Sequence, residues 1–328
     1  MEPAPHAFLP LGLLPGHFLL HLVRPAGKAG PGEALLRQTA IGMNLMEVGL
    51  RMGTYPGPAL PFIPGVESTG VVEAVGPGVS VVKPGDRVGC AGLPVGSYAE
   101  KRVFPADRLI PLPDDIPDET AAASMVAAMT ADYLLKRTYK VGPGTKMLIH
   151  AAAGGTGLMV CQIAKHLGAE VMGTVSSEEK AEIARQNGCT HPIIYTRENF
   201  ADRVLEITDG RGADVIYDSI GKDTFYESVR CLHRFGTLGL FGVASGLPEP
   251  LQLMTLDLLT EQKFTRPSFY AQVAEREDLL AIAENVFGYL RDGVLKVRVD
   301  RSMALRDAAE GHRAVESRQT VGSLVFVP

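Results

Sequence analysis

The chain has 328 residues and a mass of 35.0 kDa, which is long for one hydrophobic core, so two domains are expected. Hydrophobic residues make up 46% and charged residues 21%, the balance of an ordinary water-soluble enzyme, and a net charge of −5 with a pI near 5.9 argues against a dedicated nucleic-acid binder. The four cysteines, Cys90, Cys161, Cys189 and Cys231, lie far apart with no CxxC pair or Cys/His cluster, so neither a disulfide framework nor a structural zinc site is expected, and a reducing cytoplasm suits the pattern.

Phe8 to Val23 is apolar, but Pro10, Pro15, His17 and His21 break it. It is too short to span a bilayer and has neither the basic start nor the cleavage site of a signal peptide. From Ala34 to Pro113 short β-runs are punctuated by Gly and Pro: Ser68–Val75, Arg87–Cys90, Tyr98–Phe104 and Leu109–Leu112, with turns at Gly76–Gly78 and Lys83–Asp86. This pattern predicts a small, irregular β-barrel. A strand is also expected just before Asn44, and Met46–Arg51 can be helical. Pro117 to Tyr139 reads as helical, with Asp118 and Glu119 favouring its positive end.

The middle of the chain alternates. Strands are predicted at Lys146–His150, Glu170–Val175, His191–Ile194, Asp214–Tyr217 and Gly236–Phe241, with Lys263–Thr265 as a sixth. Helices fall between them at Gly155–Leu167, Glu178–Asn187 (capped by Ser177, stopped by Gly188), Glu198–Thr208 and Thr224–Leu232. The fold class is therefore α/β, with a doubly wound parallel sheet. The last stretch carries helices at Arg276–Arg291 and Leu305–Glu316 and strands at Leu295–Val299 and Ser323–Val327.

The strongest local signal is Lys146-Met-Leu-Ile-His-Ala-Ala-Ala-Gly-Gly-Thr-Gly157, an apolar strand running into a small-residue turn that opens a helix. Ala152, Gly154 and Gly157 occupy the three glycine positions of a dinucleotide fingerprint. The middle one lets backbone approach a pyrophosphate, the last lets helix and strand pack closely, and the helix N-terminus offers N–H donors. An acidic residue that would hold the ribose 2′-hydroxyl of NAD is expected about 20 residues on. Thr174-Val-Ser176-Ser177 offers none. Lys180 instead sits in the first turn of the next helix, where the helix dipole disfavours a cation. A 2′-phosphate would give it a partner, which points to NADPH. A solvated lysine balanced by Glu178 and Glu179 is the alternative.

Ala40-Ile-Gly-Met-Asn44, Pro64-Gly-Val-Glu-Ser-Thr-Gly70, Val82-Lys-Pro-Gly-Asp-Arg-Val88 and the Ala151–Gly157 turn come in the order seen in medium-chain dehydrogenases/reductases. His150–Gly157, Tyr217-Asp-Ser-Ile-Gly221, Thr265-Arg-Pro-Ser268 and Glu316-Ser-Arg318 resemble the zinc-free quinone oxidoreductase (zeta-crystallin-like) branch. The resemblance runs from about Gly32 to Pro328. It implies a GroES-like catalytic domain from both chain ends, 1–127 and 268–328, around a Rossmann domain at 128–267, and commonly a homodimer. By motif it implies NADPH contacts at Asn44, Thr130, Gly155, Thr156, Lys180, Tyr195, Ser219, Phe241, Gly242, Arg266, Ser268 and Arg318, with Ser176 at the same strand end as Lys180. Zinc-dependent relatives carry a Cys where this chain has Met43-Asn44 and a His where it has Val66, so no metal is expected. Three departures stand out. Residues 1–25 do not match the family's opening strand and Gly-Gly-Pro turn. Glu47 replaces an Asp. Gly49 stands where the branch has a Tyr.

The acceptor side is assigned to Asn44, Glu47 and Tyr55. Gly49 is expected to leave an empty volume and hence a roomier acceptor pocket, with the proton coming from water or Tyr55. Asp114 and Asp115 read as a turn, His150 as a hydrogen-bonded core residue, and Cys161, Met125 and Met129 as packing. There is no Tyr-x-x-x-Lys pair and no G-x-S-x-G. The expected activity is hydride transfer from NADPH to a quinone. Reduction of a conjugated C=C bond is the alternative. A crystallin-like or RNA-binding role fits less well with the acidic charge and the lack of a basic-aromatic stripe.

Overall fold

The computed structural model describes residues 27–55, 57–59, 61–252, 260–317 and 320–328. The expected opening hairpin at 1–25 and the cofactor contact at Arg318 lie outside these residues.

Two sheets organise the chain. The first is built from β1 (Glu33–Met43), β2 (Glu67–Val75), β3 (Arg87–Ala91), β4 (Lys101–Pro105) and β5 (Ile110–Pro111), joined by β12 (Val299–Ala304) and β13 (Ser323–Val327) from the far end of the chain. Its order is β12-β13-β1-β2-β3-β5, with β4 pairing β1. Central β1 alternates in its first half and is then buried continuously over Ala40–Met43. There Ala40 packs with Ala122 and Ala123, while Ile41 and Met43 pack with Val48, Tyr98 and Phe326. Two segments differ from expectation. The run predicted at Tyr98–Phe104 is a strand only over Lys101–Pro105, because Tyr98 is turned inward onto Phe326. The run predicted at Leu295–Val299 is not a strand: Leu295 is packed into the core beside the preceding helix, and pairing with β13 begins at Val299.

The second sheet holds β6 (Lys146–Ile149), β7 (Glu170–Val175), β8 (His191–Ile194), β9 (Ala213–Asp218), β10 (Leu232–Leu240) and β11 (Lys263–Thr265). All its pairings are parallel, in the order β11-β10-β9-β6-β7-β8. That is the doubly wound Rossmann order, whose switch point lies between β6 and β9. In chain order the helices are α1 (Leu45–Met52), α2 (Asp118–Ala122), α3 (Met125–Tyr133), α4 (Gly155–His166), α5 (Glu178–Gln186), α6 (Phe200–Ile207), α7 (Phe225–Arg230), α8 (Phe269–Gln272), α9 (Arg276–Arg291) and α10 (Ala308–Glu316). A π-helical turn, Leu134–Thr138, prolongs α3.

The helix α3 is apolar on all sides because α4 and α9 cover it; Met125 and Met129 are buried there, as their spacing predicts. Its one carboxylate, Asp132, is buried but satisfied: it accepts from Tyr289 Oη at 3.0 Å and Asn285 Nδ2 at 3.2 Å and pairs with Lys136 at 2.9 Å. These bonds fix α9 on α3 and close the seam beside the switch point.

Candidate active site

At the switch point β6 runs into α4 through a turn whose first residue, Ala151, has φ +56°. Gly154 N–H donates to Ala151 O at 2.9 Å, and a Cβ on Gly157 would lie 2.2 Å from that same oxygen, so the tight turn needs glycine there. Ala152, at the first fingerprint position, is buried against Gly173, where a Cβ would meet its methyl at 2.6 Å. The glycine lost at 152 is thus compensated by one on β7. Gly155 and Thr156 open α4, whose first turn carries no acidic residue, so its N–H groups remain a place for an anion.

At the end of β7, Ser177 caps α5 by accepting from Lys180 N–H at 3.3 Å, the cap expected from the sequence. The β7–β8 register pairs Val175 with Ile194, and Tyr195 N–H donates to Val175 O. Ser176, Lys180 and the half-exposed Tyr195 therefore share one corner of the sheet. On the other side of the switch point, buried Asp218 accepts from Ile220 N at 2.7 Å and Gly221 N at 3.0 Å, while Phe241 N–H donates to its carbonyl at 2.8 Å. Ser219 and Gly242 are packed so tightly that a Cβ on Gly242 would sit 2.9 Å from Ser219 O. Arg266 and Ser268 follow β11 at the same end of the sheet. His150 is a buried hydrogen-bonded residue, reaching Thr174 Oγ1 at 3.0 Å and Ser228 Oγ at 2.9 Å, and burial lowers its pKa. Cys161 is packed in the core.

On the barrel side, Asn44 is the N-cap of α1. Asn44 backbone N–H donates to Glu47 Oε2, and the other Glu47 oxygen accepts from Val66 N–H at 3.1 Å. Glu47 has no exposed surface. Its oxygens are taken up by two backbone N–H groups and the Asn44 side chain, so the expectation that it acts on substrate is corrected: it fixes the start of α1. Asn44 Nδ2 donates to Glu67 Oε2 at 2.9 Å, and Val126 N–H, at the start of α3, donates to Glu67 Oε1 at 2.7 Å. Burial pushes both carboxyls up to about 8, with Glu67 adding repulsion on Glu47. Thr130, one helical turn beyond Val126, is also buried.

Gly49 does not leave an empty volume. A Cβ there would lie 2.3 Å from Tyr55 Cδ2, so the Tyr55 ring already covers it, and the expectation of a roomier pocket is corrected. Tyr55 Oη also accepts from Val243 N–H at 3.4 Å, reaching from the barrel side to the turn after β10. From α8, Tyr270 Oη donates to Met46 Sδ at 3.0 Å, and its pKa is pushed up to about 12 by burial and by Glu47. Glu67 and Tyr270 were not singled out as site residues in the sequence. The motif around Glu67 was visible, but its partner Asn44 is 23 residues away. Nothing local marks Tyr270. Among the described residues no group of three or more His, Cys, Asp and Glu is arranged to hold a metal.

Two family profiles match the chain: an alcohol dehydrogenase GroES-like domain over residues 30–114 and a zinc-binding dehydrogenase over residues 155–285. A quinone oxidoreductase of Pseudomonas aeruginosa is 44% identical over 302 residues, 91% of this chain and 92% of its own length. A 2-haloacrylate reductase of a Burkholderia species is 42% identical over 321 residues, 96% of each. The crystal structure of Escherichia coli quinone oxidoreductase complexed with NADPH superposes with a TM-score of 0.89 at 39% identity, covering 93% of this chain and 95% of that one. A Rossmann sheet beside a GroES-like barrel, a small-residue dinucleotide turn at the switch point and this similarity along most of the length place the chain in the medium-chain dehydrogenase/reductase family, among the quinone oxidoreductases.

Proposed function

We propose that the protein is an NADPH-dependent quinone oxidoreductase that works without zinc. The observation that carries this reading is the constellation at Asn44: Met43-Asn44 and Val66 stand where zinc-dependent relatives carry a Cys and a His, and Asn44 and Val66 are hydrogen-bonded into one unit with Glu47 and Glu67. Reduction of a quinone needs no Lewis acid, because the acceptor is already a strong electrophile.

The residues fit the cofactor. Gly157 keeps the turn tight against α4, and Gly155 and Thr156 offer N–H groups to the pyrophosphate. Ser176, Lys180 and Tyr195 take the 2′-phosphate. Ser219, Phe241, Gly242, Arg266, Ser268 and Arg318 hold the remaining length, and Asn44 and Thr130 the nicotinamide end. When bound, NADPH supplies the hydride.

The chain supplies position and a proton. The wall formed by Tyr55, Met46 and Tyr270 sets an acceptor carbonyl against the cofactor and excludes water. Since the Tyr55 oxygen accepts from Val243 N–H, its own O–H is left to donate to the acceptor oxygen, with solvent replacing the proton. One hydride and one proton together reduce the quinone to the hydroquinone. We place the domain division at 1–127 with 268–328 against 128–267, and assign a cytoplasmic homodimer. No helix of the described residues is long and apolar enough to cross a membrane.

Reduction of a conjugated C=C bond is the second reading, favoured by the 42% identity to the 2-haloacrylate reductase. The test is NADPH oxidation against a panel of quinones, 2-alkenals, haloacrylates and enoyl thioesters. Faster turnover of quinones, unchanged after dialysis against a chelator, supports the first reading. Turnover confined to C=C acceptors selects the second. Loss of activity with loss of stoichiometric zinc contradicts the metal-free site.

A further inference from the structure

Two motifs far apart in sequence meet at one carboxylate. Gly42, two residues before Asn44 on β1, faces Glu67: a Cβ at 42 would lie 2.7 Å from Glu67 Oε2 and 2.0 Å from Ala122 O. The glycine of Ala40-Ile-Gly-Met-Asn44 thus makes the space that the glutamate of Pro64-Gly-Val-Glu67 occupies. One contact of that carboxyl has a fixed polarity and one does not. Val126 N–H can only donate, and it donates to Oε1. Oε2 faces the one group in the set that can reverse, the Asn44 side-chain amide, and takes its NH2 end. Glu47, from α1, is the titratable group that interacts with Glu67; β1 and α3 bring Gly42 and the Val126 amide, neither of which titrates.

We propose that Glu67 is a positioning residue that sets the polarity of Asn44, turning the amide NH2 inward so that Oδ1 is presented to the nicotinamide half of the cofactor. This rests on the cofactor reading given above. An ionised carboxylate has only acceptors and admits one orientation of the amide. A protonated carboxyl would offer Oε2–H as a donor and admit the other. Replacing the carboxylate by an isosteric amide has the same effect permanently: with Oε1 committed to Val126 N–H, the Gln NH2 must face Asn44 and draw its oxygen inward. Donors on the cofactor, the carboxamide NH2 and the ribose hydroxyls, would then meet an NH2 group instead of an acceptor.

The test is a double-mutant cycle read by equilibrium NADPH binding, followed by nicotinamide fluorescence, with thermal melting as the check on folding. Glu67→Gln should weaken NADPH about tenfold, the loss of roughly one net hydrogen bond. Asn44→Ala should weaken it by a similar factor. Because Glu67 acts through Asn44, Glu67→Gln added to Asn44→Ala should cost nothing more. Additive losses, or an unchanged affinity in folded Glu67→Gln, overturn the inference while leaving the cofactor reading intact. Failure of the wild type to bind NADPH overturns both. A second measurement needs no Glu67 variant: wild-type affinity should tighten between pH 7 and pH 9, as the carboxyl pushed up to about 8 ionises, and Asn44→Ala should lose that dependence. A flat wild-type profile counts against the proposal.

Discussion

At the ends of β7 and β8 the polar groups stand at the surface on consecutive stretches of chain: Ser176, Ser177 and Lys180 within five residues, and Tyr195 just after the next strand. At the start of α1 the polar groups are buried and come from distant segments, Asn44 and Glu47 from one, Val66 and Glu67 from another, and the Val126 amide from a third. The first corner can change its charge without disturbing the fold, because water solvates whatever is placed there. The second cannot, because two carboxyls held out of water depend on each neighbouring donor. On the proposed reading, cofactor choice is built at the exposed end and geometry at the buried end.

The widest expected effect of that contrast is on stability against pH. Glu47 and Glu67 are held up to about 8 in the fold against 4.5 for an ordinary glutamate, so between these values the folded chain binds more protons than the unfolded one. Stability contributed by the protonated pair is present at low pH and is lost as pH rises. Wild type should lose about 1.4 kcal/mol per pH unit for each proton concerned, from about pH 5 to pH 8, relative to Glu47→Gln. Denaturant unfolding of the two proteins across that window measures it; parallel curves would mean that the buried end titrates like the exposed one.

Steric change at the buried end comes next. Gly42→Ala drives a methyl onto Ala122 O and Glu67 and should cost about 3 kcal/mol, the upper range for overpacking, read as a lower midpoint in urea. At the exposed end, Lys180→Glu should leave the melting temperature within a degree or two of wild type and weaken NADPH by about 1–3 kcal/mol, with little change for NADH. Equal loss for both cofactors would remove the 2′-phosphate from that corner.

The smallest effect tests the mixed case of Gly49 and Tyr55, where a flexible loop ring meets a helix. Gly49→Ala should cost roughly 1 kcal/mol, since the Tyr55 ring can shift away, and should lower turnover of small and large quinones alike by displacing its hydroxyl from Val243 N–H. Stability should return in Gly49→Ala combined with Tyr55→Ala, while turnover should not. An effect confined to large acceptors would instead mean that residue 49 faces the acceptor directly.

The parallel sheet was legible almost to the residue, because each strand is a short apolar run bounded by a cap or a glycine: Glu170–Val175, His191–Ile194 and Lys263–Thr265 stand as read from the sequence, and Ser177 caps α5 as expected. The small-residue turn and the missing carboxylate after β7 were legible for the same reason, since backbone room and helix-end charge are local properties. Local reading misplaced the strand after α9, because what keeps Leu295 out of it is burial beside a helix rather than any preference of its own residues. It also made Gly49 a void, since the side chain that fills a glycine's space belongs to another segment, here Tyr55 six positions on. Glu47 carried the right chemistry for an acid and the wrong place: only the folded chain, bringing Val66 N–H against its second oxygen, turns that carboxylate from a reactive group into a support. Sequence alone thus determined which backbone could approach a dinucleotide and where the carboxylate of an NAD site is missing. The tertiary structure decided which polar side chains are buried and what they bond to, because the protonation and orientation of a buried group are set by donors and acceptors that only folding brings within 3 Å or so of it.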